Sequence, residues 1–250
     1  MPDTALSAPS RMSRIAFLDY LRIFAFTSVL IGHEFYTQTQ AFVHNTSIHA
    51  TPRFQASLLL PWTEAGGAGV VVFFLISGYI ITCVLQTETA SQFLLKRAFR
   101  IYPLYGAAVL IEALLTWRLS GQIDLATLGK QLLLVGDFFG TPYALGGVEW
   151  TLRLELLFYL FMAALRHLDV LHRHRKLLPL ILLTTCIVLA LVAPIPNHTP
   201  WARGYLSIYA PFLALGAMTY LYEARQVTRL WFGLAITIVL AQYYYLIATL

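Results

Sequence analysis

The sequence predicts an all-α fold, a polytopic transmembrane helical bundle of about seven spans with its N-terminus on the cytoplasmic side. Three observations predict it. Of 250 residues, 58% are hydrophobic and only 12% charged, with a mean hydropathy of +0.69, whereas a soluble domain carries about 25% charged residues. Apolar stretches near the roughly 20 residues a helix needs to cross a bilayer recur along the whole chain. The basic residues gather in alternate connections between those stretches.

In chain order the stretches lie at about 15–36, 66–85, 102–119, 151–166, 177–194, 204–222 and 230–249. Residues 1–14, MPDTALSAPSRMSR, form a short polar tail, and 15–250 read as one domain without internal repeats. The first stretch is too long, aromatic and charged for a cleaved signal peptide, and no small-residue cleavage site follows it. Pro103 is expected at the start of the third span, where its fixed φ suits a first helical turn. Pro211 is expected to kink the sixth, which neighbouring helices can tolerate. The segment 125–139, LATLGKQLLLVGDFF, is too short to span and either lies along the surface or re-enters. Trp62, Tyr143 and Trp150 fall where aromatic rings settle at a headgroup interface. Cys83 and Cys186, inside apolar spans, read as packing residues.

With the N-terminus inside, the cytoplasmic segments hold eleven basic residues: Arg11, Arg14, Lys96, Arg97, Arg100, Arg166, Arg173, Arg175, Lys176, Arg225 and Arg229. The outer segments hold four, Arg53, Arg118, Lys130 and Arg203. The net charge of +5 is therefore mostly an orientation signal and gives no reason to invoke nucleic acid.

Ionisable residues inside spans are costly and mark candidate sites. The first span, LDYLRIFAFTSVLIGHEFY at 18–36, holds Asp19, Arg22, His33 and Glu34. Arg22 and His33 are eleven positions apart, almost three helical turns, so they share one face roughly 16 Å apart along the axis. Asp19, one turn before Arg22, is placed to pair with it. Two readings stand. Either Asp19 and Arg22 form a structural pair while His33 and Glu34 mark the outer interface, or one face displays a cation near the inner end and a base near the outer end.

The other spans bear on that choice. Arg97 and Arg100, with Lys96 at the cytoplasmic mouth of the third span, make either ordinary positive-inside charge or a guanidinium fork suited to phosphates. Glu155, in a span running from outside to inside, falls at a depth similar to His33, where a carboxylate can orient an imidazole for general-base work. Glu149 and Arg153, spaced i to i+4, are expected to pair. Glu112 has no evident partner. Ser77 lacks a GxSxG elbow and with Gly78 reads as close helix packing rather than a nucleophile. His44, His49, His172 and His174 lack metal-ligand spacing and read as solvated, so no metal site is expected.

These residues carry a resemblance. Arg22 and His33 in the first span, FFLISGY at 73–79, KRAFRIYP at 96–103 and WTLRLELLFY at 150–159 resemble the acyltransferase 3 family of membrane O-acyltransferases. The resemblance implies an enzyme that moves an acyl group, commonly acetyl, from cytoplasmic acyl-CoA to a hydroxyl of a cell-envelope sugar or polysaccharide, in the inner (plasma) membrane of a bacterium. It implies His33 as the catalytic histidine, Arg22, Arg97 and Arg100 as contacts to the CoA phosphates, and Glu155 as the acidic residue of the family's Trp-Ser-Leu-x-x-Glu pattern. Its partners would be the lipid bilayer, acyl-CoA and a carbohydrate acceptor. Arg153 departs from the pattern, standing where the family usually has a small residue. The sequence stops at Leu250 within an apolar segment, short of the further spans usual in the family, which also allows a truncated, inactive relative. Outside the family, the competing reading is a small transporter or non-enzymatic subunit whose buried charges form an ion pathway or structural pairs. The acyl group, the acceptor and the oligomeric state are not encoded in any motif.

Overall fold

The computed structural model describes residues 16–64, 66–197 and 203–249, and the predicted tail 1–14 lies outside them. The regular secondary structure of the described residues is all helical, without strands. They fall into two compact units, one up to Phe73 and one from Phe74 onward.

The first unit opens with α1 (Ala16–His44), followed by two short helices, α2 (Ala50–Ser57) and α3 (Leu60–Glu64), and the beginning of α4 (Gly66–Val84). Small residues set how closely α1 is approached. A Cβ on Gly32 would stand 2.8 Å from Gly66 Cα, and one on Gly69 would stand 2.7 Å from both Ala25 O and Ser28 Cβ. Ala25 and Ser28 are accordingly buried. This is the close approach that small residues permit between apolar helices.

In the second unit, α5 (Ala90–Ser120) begins well before the predicted 102. Thr89 explains the difference. Its hydroxyl accepts from Gln92 N at 3.4 Å while the Gln92 side chain accepts from Thr89 N at 3.3 Å, a reciprocal cap that starts the helix inside a polar stretch. Pro103 therefore lies inside α5 rather than at its start, and Arg97 and Arg100 lie within the helix rather than ahead of it. The segment 125–139 forms α6 (Leu125–Leu132) and a 3-10 turn (Gly136–Phe139). It folds back against the middle of α5 through Tyr105, Val109 and Leu134, with the Tyr105 hydroxyl donating to Gln131 O at 2.7 Å.

The remaining helices are α7 (Glu149–His167), α8 (Leu178–Leu191), α9 (Tyr205–Glu223) and α10 (Arg229–Thr249). α9 packs against α7, α8 and α10, and its residues 211–218 are all buried. It meets α4 backbone to backbone: a methyl group on Gly78 would overlap the Leu213 carbonyl, and one on Gly216 the Leu75 carbonyl. Gly78 is thus the packing position expected of it. α9 runs through Pro211. Proline lacks the N–H that would bond Ser207 O one turn back, and Gln242 of α10 supplies a donor instead, its Nε2 standing 3.0 Å from that carbonyl.

Each of the seven predicted stretches is represented by a helix, but among the described residues three helical stretches are long and apolar enough to cross a membrane by length and composition. They lie within Ala50–Val84, Ala90–Ser120 and Arg229–Thr249. Three of the others, α1, α7 and α8, fall short for visible reasons. α1 carries Asp19, Arg22 and Glu34, and α7 carries Glu149, Arg153, Glu155 and Arg166. α8 has only 14 residues, ending ahead of Pro194 and Pro196.

Candidate functional site

In the first unit, α1 is continuous across Arg22 and His33, so the helical spacing read from the sequence holds. Arg22 Nη1 donates to Asp19 Oδ1 at 3.5 Å, as expected of residues one turn apart. His33 Nδ1 stands 3.9 Å from Glu34 Oε1, and the two side chains are 58% and 61% exposed.

In the second unit Glu155 and Arg97 lie along one string of side chains. Glu155, buried on α7, accepts a hydrogen bond from the Ser77 hydroxyl of α4 at 3.0 Å. Tyr159, one turn further along α7, is buried as well. The Tyr159 ring lies edge-on to Phe93 at 5.5 Å. The Arg97 guanidinium covers both rings, with its Cζ 5.3 Å from the Phe93 centroid and 5.7 Å from that of Tyr159. A guanidinium held by ring faces rather than by an acid keeps N–H donors for an oxyanion. Arg100, one turn on, is exposed. Lys96 pairs with Glu88 at 2.5 Å.

Beside this string lies a slot of about 340 Å³ between α5, residues 133–138 and α7. Its walls are mostly aliphatic, with Arg97 and Tyr159 at one level and Arg153 and Leu134 at another.

Arg153 belongs to a second cluster, which sequence reasoning missed. Glu149 and Arg153 do not pair as predicted. The Glu149 carboxylate turns back over the preceding loop and accepts from the N–H groups of Ala144, Leu145 and Gly147 at 2.7, 2.6 and 3.1 Å. Gly146 and Gly147, at φ of 66° and 96°, give that loop its tight return. Arg153 instead donates to the Leu134 carbonyl, to Asp137 and, at 3.1 Å, to the Tyr205 hydroxyl. The Tyr143 hydroxyl adds a bond to Asp137 at 3.0 Å. Burial pushes the Asp137 carboxyl up from its ordinary range, against the opposing pull of Arg153 and the Tyr143 hydroxyl. The signal was present in the sequence: Asp137 is an acid inside the apolar run LLLVGDFF, and the logic that singled out Arg22 applies to it equally.

The remaining candidates settle as follows. Glu112 accepts from Thr116 at 3.4 Å in an exposed position. His44 and His49 are exposed and bonded locally, His49 as the cap of α2, and His172 and His174 are exposed as expected. Trp150, expected at an interface, packs its ring 5.2–6.1 Å from those of Tyr209, Tyr205 and Phe74. Among the described residues no group of three His, Cys, Asp or Glu could hold a metal ion.

Comparison with known proteins gives two similar curated chains. Nodulation protein 10 of Rhizobium leguminosarum bv. viciae is 26% identical over 236 residues, covering 83% of this chain and 60% of that protein. Acyltransferase MdmB of Streptomyces mycarofaciens is 29% identical over 161 residues, covering 61% of this chain and 39% of that protein. The chain thus spans about 60% of the length of the first relative and 39% of the second. No solved structure matches it at a significant level. A family model described as an acyltransferase domain matches residues 15–250, and the chain therefore belongs to the acyltransferase 3 family.

Proposed function

We propose that the protein is a multi-pass O-acyltransferase of a bacterial inner membrane, with about seven spans and a cytoplasmic N-terminus, that takes an acyl group, acetyl in the simplest case, from cytoplasmic acyl-CoA. The acceptor is a hydroxyl of a cell-envelope sugar or polysaccharide. The observation that carries this reading is the buried Glu155 carboxylate bonded to Ser77, one helical turn from the Tyr159 ring that carries Arg97, in a chain of this family.

In this reading Arg22, Arg97 and Arg100 hold the CoA phosphates, and the aliphatic slot beside Arg97 gives the donor's extended arm an apolar path. His33 takes the proton of the acceptor hydroxyl as its oxygen attacks the thioester carbonyl. The C–S bond then breaks, and the departing CoA sulfur takes the proton from the imidazolium. Glu155 is the second catalytic group. The bilayer setting is supported by the many large apolar side chains on the outside of the helices, among them Phe17, Phe26, Leu104 and Leu119, each at least 65% exposed.

The test is transfer of labelled acetyl from acetyl-CoA, supplied at the cytoplasmic face of membrane vesicles, to envelope carbohydrate. The wild-type chain is expected to transfer label, His33→Ala to fall to background and Ser77→Ala to retain transfer. Equal transfer by wild type and His33→Ala would remove the histidine from the chemistry.

A further inference from the structure

We propose that Glu64, steadied by the Tyr36 hydroxyl, is an acceptor-binding residue. Its carboxylate takes a hydrogen bond from a hydroxyl neighbouring the one that reacts, which favours a polyhydroxylated acceptor, a sugar, over a simple alcohol. This rests on the proposed acyltransferase reading with His33 as its base, and deepens it by assigning a residue to the acceptor.

The placement begins with a missing side chain. Gly32 of α1 has no Cβ, and one added there would stand 3.0 Å from the Thr63 carbonyl of α3 and 2.8 Å from Gly66 Cα, so α3 is seated directly on the α1 backbone. Thr63 is buried in that seat, its hydroxyl turned to Leu60 O at 2.9 Å. Glu64, the next residue, leaves the contact and is exposed. One turn along α1 from Gly32, the half-buried Tyr36 donates its hydroxyl to Glu64 Oε1 at 3.3 Å.

This brings a carboxylate from another helix to the neighbourhood of His33. At about 100° per residue, Tyr36 falls about 40° around α1 from Gly32 and His33 about 100°. Tyr36 therefore stands between the seat of α3 and the exposed imidazole, and residues three apart on a helix are surface neighbours. Glu34 lies on the far side of His33, its Oε1 3.9 Å from Nδ1, so the imidazole is flanked by an acid of its own helix and by the Tyr36–Glu64 pair.

The bonding of Glu64 leaves it capacity for a ligand. Its Oε1 takes the single hydroxyl of Tyr36, and among the described residues Oε2 accepts no hydrogen bond and no cation pairs with the carboxylate. A carboxylate is an acceptor only, and its bonds to hydroxyl donors are stronger than those between neutral groups. A sugar offers such a donor on the carbon next to the reacting one, whereas a simple alcohol has none. A group placed to bond a substrate hydroxyl discriminates against molecules that lack it.

The test uses the full chain in membrane vesicles, with labelled acetyl-CoA and envelope carbohydrate added in increasing amounts. Glu64→Ala is expected to lower transfer at limiting carbohydrate at least tenfold, about the loss of one charge-assisted hydrogen bond. Saturating carbohydrate should recover most of the rate, and acetyl-CoA affinity in a direct titration should stay within about twofold of wild type. Tyr36→Phe, which frees the carboxylate without removing it, is expected to show a smaller loss of the same kind, about threefold. Wild-type transfer by Glu64→Ala at limiting carbohydrate would overturn the proposal. So would a loss that saturating carbohydrate does not repair, or acetyl-CoA affinity falling in step with transfer, since either removes Glu64 from the acceptor. If the wild-type chain itself neither binds acetyl-CoA nor transfers its acyl group, the acyltransferase reading fails and this proposal falls with it, an outcome distinct from an active wild type with an indifferent Glu64→Ala.

Discussion

Two clusters of charge share α7 within two turns of each other, and they are built on opposite plans. Around Arg153 the groups face one another. The guanidinium is met by a carbonyl, a carboxylate and a hydroxyl, and Arg153 and Asp137 are 3% and 4% exposed. Around Glu155 the carboxylate is held by the Ser77 hydroxyl, while Arg97 is half-buried against aromatic rings and Arg100 is exposed. The first cluster is closed upon itself and fastens residues 134–137 to α7 and α9. The second keeps its cations available to a ligand. Burial of an ionisable residue thus does not by itself mark chemistry in this fold; what separates the two clusters is whether the cation has already met its counter-charge.

The largest expected effect breaks the closed cluster. Arg153→Met leaves the Asp137 carboxylate buried without its cation, a change that costs about 3–5 kcal/mol where one partner of a buried pair is removed. The melting temperature should drop sharply, and adding Asp137→Asn should recover much of the loss because the stranded charge is then gone. Thermal melts of detergent-solubilised protein check both steps. A double variant no more stable than Arg153→Met would mean that the guanidinium's bonds to Leu134 and Tyr205, rather than the ion pair, hold the turn.

The smallest expected effect lies at the outer end of the same segment. Asp124 caps α6, accepting from Ala126 N at 2.9 Å and from the Thr127 hydroxyl at 2.6 Å, and these bonds hold its carboxyl below its ordinary range. A carboxyl whose pKa is lowered by folding contributes stability above its ordinary value and loses it as pH falls through the lowered one. Asp124→Ala should therefore loosen α6 slightly at neutral pH, seen as faster amide hydrogen exchange across 125–132, and the difference from wild type should vanish on acidification. An undiminished difference at low pH would assign the cap's effect to something other than its charge.

Much of this architecture was legible in the sequence because apolar length is written locally. The seven apolar stretches each became a helix, the Asp19–Arg22 pair formed as one helical turn dictates, and Gly78 proved to be a contact between backbones. What was not legible depends on residues distant in the chain. The start of α5 was hidden because a polar cap, not hydropathy, begins it. Arg153 was paired on paper with Glu149, its neighbour on the helix, because i to i+4 spacing is visible in sequence and the return of residues 133–138 is not. Glu155 stood out as an acid inside a span, but its partner Ser77 became evident only once α4 and α7 were side by side.

The contrast between the clusters is tested most directly by titrating acetyl-CoA into two double variants beside the wild type. Arg97→Ala with Arg100→Ala removes the open cations and is expected to weaken binding at least tenfold, about 1.4 kcal/mol or more, with little change in stability. Arg153→Met with Asp137→Asn removes the closed pair and is expected to leave the affinity of the folded protein within about threefold, below 1 kcal/mol. Full affinity in the first variant and lost affinity in the second would contradict the account, placing donor recognition at the cluster described here as a fastening.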